Sequence, residues 1–156
     1  MARYTAVAEG VNSGTALKTI LQVAADANGR LGVYGVRVSC KGTSSTAEPV
    51  RAMLVRQTTA GTGGASLTSL YGPNKMDPSY PTSVTTCLKG PSGTWTAEPT
   101  ASDVVLAQEV HPQTGWAEYI PLGDEIVVAA SGRIAVVVVA AATVPVTAQL
   151  YWREGH

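Results

Sequence analysis

The stretch Ile134-Ala-Val-Val-Val-Val-Ala-Ala-Ala142 limits what this chain can fold into more than any other. Its nine apolar residues fall far short of the ~20 that a membrane-spanning helix requires, so it reads as a buried strand. A strand with one wet face alternates apolar and polar residues. This one is apolar on both faces and must be covered on both sides. A two-sheet sandwich covers only one face of each sheet. A second copy of the chain is the expected cover for the other face, with a loop of the same chain as the alternative. Ile134, Val136 and Val138 form one set, and Ala135, Val137 and Val139 the other. One set faces the core and the other the neighbour, and the pattern does not say which. Val137 and Val139 are the candidate self-assembly residues.

The rest of the chain is read in the same terms. Leu31 to Lys41 places Val36, Val38 and Cys40 on one face and Arg37, Ser39 and Lys41 on the other, the period-2 signal of a half-buried strand. Val50 to Gln57, Ser83 to Lys89, Asp103 to Val110, Trp116 to Ile120 and Glu125 to Ala129 are further strands. In the final strand, Val146 to Trp152, the residues Val146, Ala148, Leu150 and Trp152 face opposite Thr147, Gln149, Tyr151 and Arg153. Leu17 to Ala25 fits helical spacing as well as alternation, and its β-rich neighbours favour a strand. The reading is one all-β domain of about nine or ten strands, a sandwich or jelly roll.

Composition excludes several functions. The 156 residues suit one domain, and eleven Lys and Arg balance eleven Asp and Glu. Phosphate binding needs a basic excess on one face, so no nucleic-acid partner is expected. The N-terminal residues lack the apolar stretch of a secretory signal, and no membrane partner is expected. Cys40 and Cys87 form no closely spaced pair and read as free thiols rather than a disulfide.

Catalysis is not expected either. A nucleophile needs an imidazole within reach, and the chain offers only His111, read as a loop residue, and His156 at the C-terminus. Asp124-Glu125 follows Gly123 and reads as a turn, and Glu98, Asp103, Glu109 and Glu118 show no spacing that makes a glycosidase pair. No metal or cofactor set emerges. The Gly-rich stretch Ala60 to Ser66 lacks the Lys-Ser/Thr of a phosphate loop. Trp95, Trp116, Tyr119, Tyr71 and Tyr80 read as core or interface anchors.

Several segments together carry a resemblance. They are Arg3-Tyr-Thr-Ala-Val7, Leu31-Gly-Val-Tyr-Gly-Val-Arg-Val-Ser39, Val50-Arg-Ala-Met-Leu-Val-Arg56, the Thr/Gly-rich Thr58 to Ser66, the Pro-rich Tyr71 to Pro81, Thr85-Thr86, Trp116 to Leu122, and the closing strand to Trp152-Arg-Glu154. With them the chain resembles the jelly-roll decoration (auxiliary or cementing) proteins of tailed-bacteriophage capsids. It departs from them in lacking Phe and in a longer Thr/Pro loop around Trp95. The resemblance implies a non-catalytic virion protein on the exterior of the head, a homotrimer that bridges and stabilises major capsid protein subunits. It also implies an N-terminal arm over residues 1–10 ahead of a jelly-roll domain over 11–156, with Arg3 and Tyr4 of the arm touching the capsid. The alternative is a tail or fibre component, a β-sandwich that binds a glycan or receptor through Trp95 and Trp116.

Overall fold

The computed structural model describes residues 1–41, 48–90 and 95–155, and every regular element among them is a strand. In chain order these are β1 (Ala2–Asn12), β2 (Lys18–Ala24), β3 (Leu31–Cys40), β4 (Val50–Gln57), β5 (Ala65–Ser66), β6 (Asn74–Lys75), β7 (Thr86–Lys89), β8 (Ala101–Val110), β9 (Trp116–Tyr119), β10 (Ile126–Val128), β11 (Arg133–Val139) and β12 (Pro145–Glu154). They build two antiparallel sheets packed face to face, a β-sandwich. The first sheet runs β10-β3-β12-β1-β6, with β9 also on β3, and the second runs β5-β7-β2-β11-β4-β8.

Alternation decides what each strand buries. On β12, Val146, Ala148, Leu150 and Trp152 point into the sandwich and their alternates point out, as the sequence pattern requires. Tyr4, Ala6 and Ala8 of β1 do the same beside them. Across the interior stand Leu21 and Val23 of β2, Ala52 and Leu54 of β4, and Ile134, Val136 and Val138 of β11. The segment that also fitted helical spacing is strand β2, paired to β11 and β7.

Two expectations change at the N-terminus. Residues 2–12 are not an arm. They form β1, which pairs with β12 from Ala2↔Glu154 to Asn12↔Pro145 and with β6 on its other side. Tyr4 is 1% exposed, its ring stacked on Trp152 and its hydroxyl donating to the Pro81 carbonyl at 2.8 Å. A side chain so enclosed has no surface to give a capsid subunit, so of the expected contact pair only Arg3 faces solvent.

The double-sided apolar strand β11 is resolved in the same manner. Ala135 and Val137 sit with Met53 and Val55 in a second apolar cluster on the outer face of the second sheet. Val137 is 0% exposed within a single chain. Residues 95–100 are fastened beside β2 at one end and just beyond β4 at the other, the two strands that flank β11. The Trp95 indole N–H donates to the Thr19 carbonyl at 3.0 Å, and the Glu98 carboxylate accepts from the Thr19 N–H at 3.1 Å. At the far end the Thr58 N–H donates to the Thr100 carbonyl at 2.9 Å. Val137 is therefore covered within the single chain, where a second copy was expected. Val139, at the end of β11, is half-buried.

Candidate functional site

The outward face of the first sheet carries a grouping of aromatic and cationic side chains. It is built on β3, β9 and β12, where Gly35 pairs with Tyr119 on one side and Tyr151 on the other. A Cβ at position 35 would meet ring carbons of both tyrosines at 3.0 Å, so glycine lets the two rings lie over the backbone. Their centroids are 5.7 Å apart, and Tyr34 adds a third ring 6.1 Å from Tyr151. Such spacings are those of favourable aromatic pairs.

Charge and hydrogen bonds fix this group in place. The phenols of Tyr119 and Tyr151 hydrogen-bond, which holds the Tyr119 hydroxyl above its ordinary pKa, and the Arg37 guanidinium bonds to Tyr151. One strand further, the Gln149 amide donates to the Thr5 hydroxyl at 3.0 Å, and that hydroxyl donates to the Leu150 carbonyl at 3.0 Å. Beside the tyrosines lies an open groove of about 260 Å³ lined by Arg37, Ser39, Thr114, Trp116, Thr147 and Gln149. Tyr119 is 56% exposed. The arrangement offers aromatic faces, a guanidinium and hydroxyls to a partner, which is binding chemistry.

Each described residue weighed for catalysis either has a structural partner or faces solvent. His111 is exposed, and its Nδ1 accepts from the Gln113 N–H at 3.2 Å within a turn. Glu125 binds Arg153 at 2.8 Å and accepts from the Gly123 N–H at 2.9 Å, pinning the start of β10 to β12. Asp124 is exposed on the adjoining turn. Glu98 is held by Lys18 at 2.8 Å and Glu109 by Arg51 at 3.2 Å, while Glu118 lies in the other sheet from Asp103 and Glu109. Among the described residues no group of three or more His, Cys, Asp or Glu is placed to hold a metal, and no helix is long and apolar enough to cross a membrane. His156 lies outside the described residues.

The Gly-rich stretch serves packing. Thr62 bridges to Ala97, and a Cβ at Gly61 would meet the Ala97 carbonyl and Pro99 at 2.7 Å, so the missing side chains let this turn close onto residues 95–99. Trp95 is 5% exposed beneath it, which removes it from any sugar platform, whereas Trp116 is half-buried at the groove. Cys40 and Cys87 are free thiols, one in each sheet. Sequence reasoning missed Tyr34 and Tyr151 as site residues. The outward position of Tyr151 opposite Trp152 was available as a signal, but its neighbours across the sheet were not. No family model, curated protein or solved structure matches the chain.

Proposed function

We propose that this protein is a non-catalytic jelly-roll decoration protein that binds the exterior of a tailed-phage head and bridges major capsid subunits. The observation that carries the proposal is the open tyrosine–arginine face of β3, β9 and β12. Tyr and Arg are the residue types that most often dominate protein–protein binding energy, because each combines large contact area with a polar handle. Tyr119, Tyr151 and Arg37, joined by hydrogen bonds, with the Tyr34 ring packed beside Tyr151, lose little freedom on docking. The strand order supports the jelly-roll reading. β1, β12, β3 and β9 or β10 lie side by side opposite β2, β11, β4 and β8, with successive long strands mostly alternating between sheets.

In this reading the chain acts as a homotrimer. The outer edge of β8 has no strand paired to it among the described residues, and Val104 on it is 59% exposed. An unpaired edge of this length is a template for another chain. Light scattering of the free protein and of the particle-bound form tests the trimer, and a monomer in both ends it.

The test of the function is co-sedimentation with expanded, undecorated heads. Wild-type protein should bind saturably, and Tyr119→Ala with Arg37→Ala should weaken binding at least ~30-fold, the effect of about 2 kcal/mol at a central contact. Heads that leave the protein in the supernatant overturn the proposal. The groove beside Trp116 favours a second reading, a glycan-binding tail or fibre module. Retention on a glycan array, lost in Trp116→Ala, would select it.

A further inference from the structure

A second cleft lies on the opposite side of the molecule, on the outer face of the second sheet. Gln22 and Ala24 of β2, Thr86 and Leu88 of β7, Arg133 of β11 and the turn at Ala60 line an open cleft of about 260 Å³. The Arg133 side chain makes no hydrogen bond or ion pair with any described residue, and because its Nε is closed off from solvent, its two Nη groups are the donors left for a ligand. A guanidinium carries five donors in a planar fork, four of them on the two Nη atoms. Gln22, 1% exposed, lines the same cleft. Its amide N–H donates to the Gln57 carbonyl oxygen at 2.6 Å, and the Gln57 amide donates to the Thr19 hydroxyl at 3.0 Å. This relay fixes the Gln22 side chain and leaves its carbonyl oxygen without a donor among the described residues.

We infer that this cleft binds a sugar acid, with Arg133 holding the carboxylate. One planar guanidinium matches one carboxylate in a two-bond fork. A phosphate dianion would call for a second cation or a nest of backbone N–H groups, and Arg133 is the only cation among the residues lining the cleft. The Gln22 carbonyl oxygen and the hydroxyls of Thr86 and Ser131 suit the hydroxyls of a sugar ring. Leu88, Ala24 and Ala60 suit its C–H face. The volume falls below the ~300–1,000 Å³ of pockets for drug-sized ligands, which sets the ligand at about one ring.

The experiment is an amide-resonance titration of the full chain with glucuronate, and with glucose, acetate and inorganic phosphate as separate arms. Glucuronate should shift Gln22, Leu88 and Arg133 saturably with a Kd of about 1 mM, and glucose should not. Arg133→Gln should weaken glucuronate at least about tenfold, and Arg133→Lys, which keeps the charge and loses the fork, should weaken it too. Thermal melts of both variants matching wild type show that the loss is local, and Lys75→Gln, exposed on β6 of the other sheet, should bind as wild type does. No saturable shift with glucuronate, or equal binding by Arg133→Gln, overturns the site. Acetate or phosphate binding as tightly as glucuronate overturns the assignment to a sugar acid.

Discussion

The Trp95 indole N–H donates to the Thr19 carbonyl at 3.0 Å, and that bond fastens the segment 95–100 beside β2. Thr19 sits where the β2–β11 register shifts, between Val136 and Val137. The ring lies against Gly64, where any side chain would collide with it, and its Nε1 is 3.4 Å from the place a Cβ at Gly90 would occupy. Trp95→Ala should therefore cost about 3–5 kcal/mol, the range for emptying a buried Trp site. Trp95→Phe keeps most of the packing and leaves the Thr19 carbonyl unpaired, for a loss nearer ~1–3 kcal/mol. Urea denaturation measures both. A Trp95→Ala midpoint equal to wild type would mean that the segment does not hold the face closed.

Tyr4 and Arg3 are neighbours with opposite environments. Tyr4 stacks on Trp152 at a ring-centroid distance of 6.2 Å and an interplanar angle of 29°, while Arg3 points outward from the same strand. Tyr4→Ala should cost about 3–5 kcal/mol and Tyr4→Phe about 1 kcal/mol, the latter for the hydrogen bond to Pro81. Arg3→Ala should stay within ~0.5 kcal/mol of wild type. Any loss of particle binding in Arg3→Ala would then report contact, whereas a loss in Tyr4→Ala would report unfolding. Chemical denaturation alongside co-sedimentation separates the two.

These residues also mark how far the sequence could be read. Period-2 patterns located β3 and β12, where Val, Leu and Cys alternate with polar residues, and apolar runs located β4 and β11. The strand β1 hid behind small residues: Tyr4, Ala6 and Ala8 alternate, but Ala has little strand preference and the segment lies at a terminus, so it read as an arm. The apolar surplus on β11 correctly demanded a second cover. Which body supplies that cover depends on Trp95 reaching Thr19, a contact between residues 76 positions apart that no local pattern encodes. The tyrosine face is of the same kind. Arg37 and Tyr151 were legible as outward, yet their meeting with Tyr119 over Gly35 is a product of sheet order.

Thiol chemistry offers a check on the core. Burial pushes the Cys87 thiol up to about 12, with the Glu154 carboxylate adding to the rise and a hydrogen bond from Thr85 partly offsetting it. Burial also raises Cys40. The folded state thus favours the neutral Cys87 thiol relative to an unfolded chain, whose thiol ionises near ~8.5. This contribution to stability is complete below that pH and is lost as the pH rises through about 12. At pH 8 a thiol reagent should label Cys40 slowly and Cys87 only at the rate of unfolding. Rapid labelling of both in native buffer would contradict the burial of Cys87.

Val137 and Val139 lie on the same face of β11 and should respond differently to the same substitution. Val137 is 0% exposed and packs with Met53, Val55 and Ala135, whereas Val139 is half-buried at the strand end, opposite Arg51. A lysine at 137 would bury its ammonium among apolar side chains with no partner, a mechanism that reaches about 4–5 kcal/mol or more. A lysine at 139 can extend its charge to water along the strand end. Val137→Lys should therefore lower the denaturation midpoint severely or abolish folding, and Val139→Lys should leave the fold intact. If self-association uses the end of β11, Val139→Lys will also shift the light-scattering mass toward the monomer. A folded, dissociated Val137→Lys protein would place a second copy of the chain, and not the chain itself, over that face.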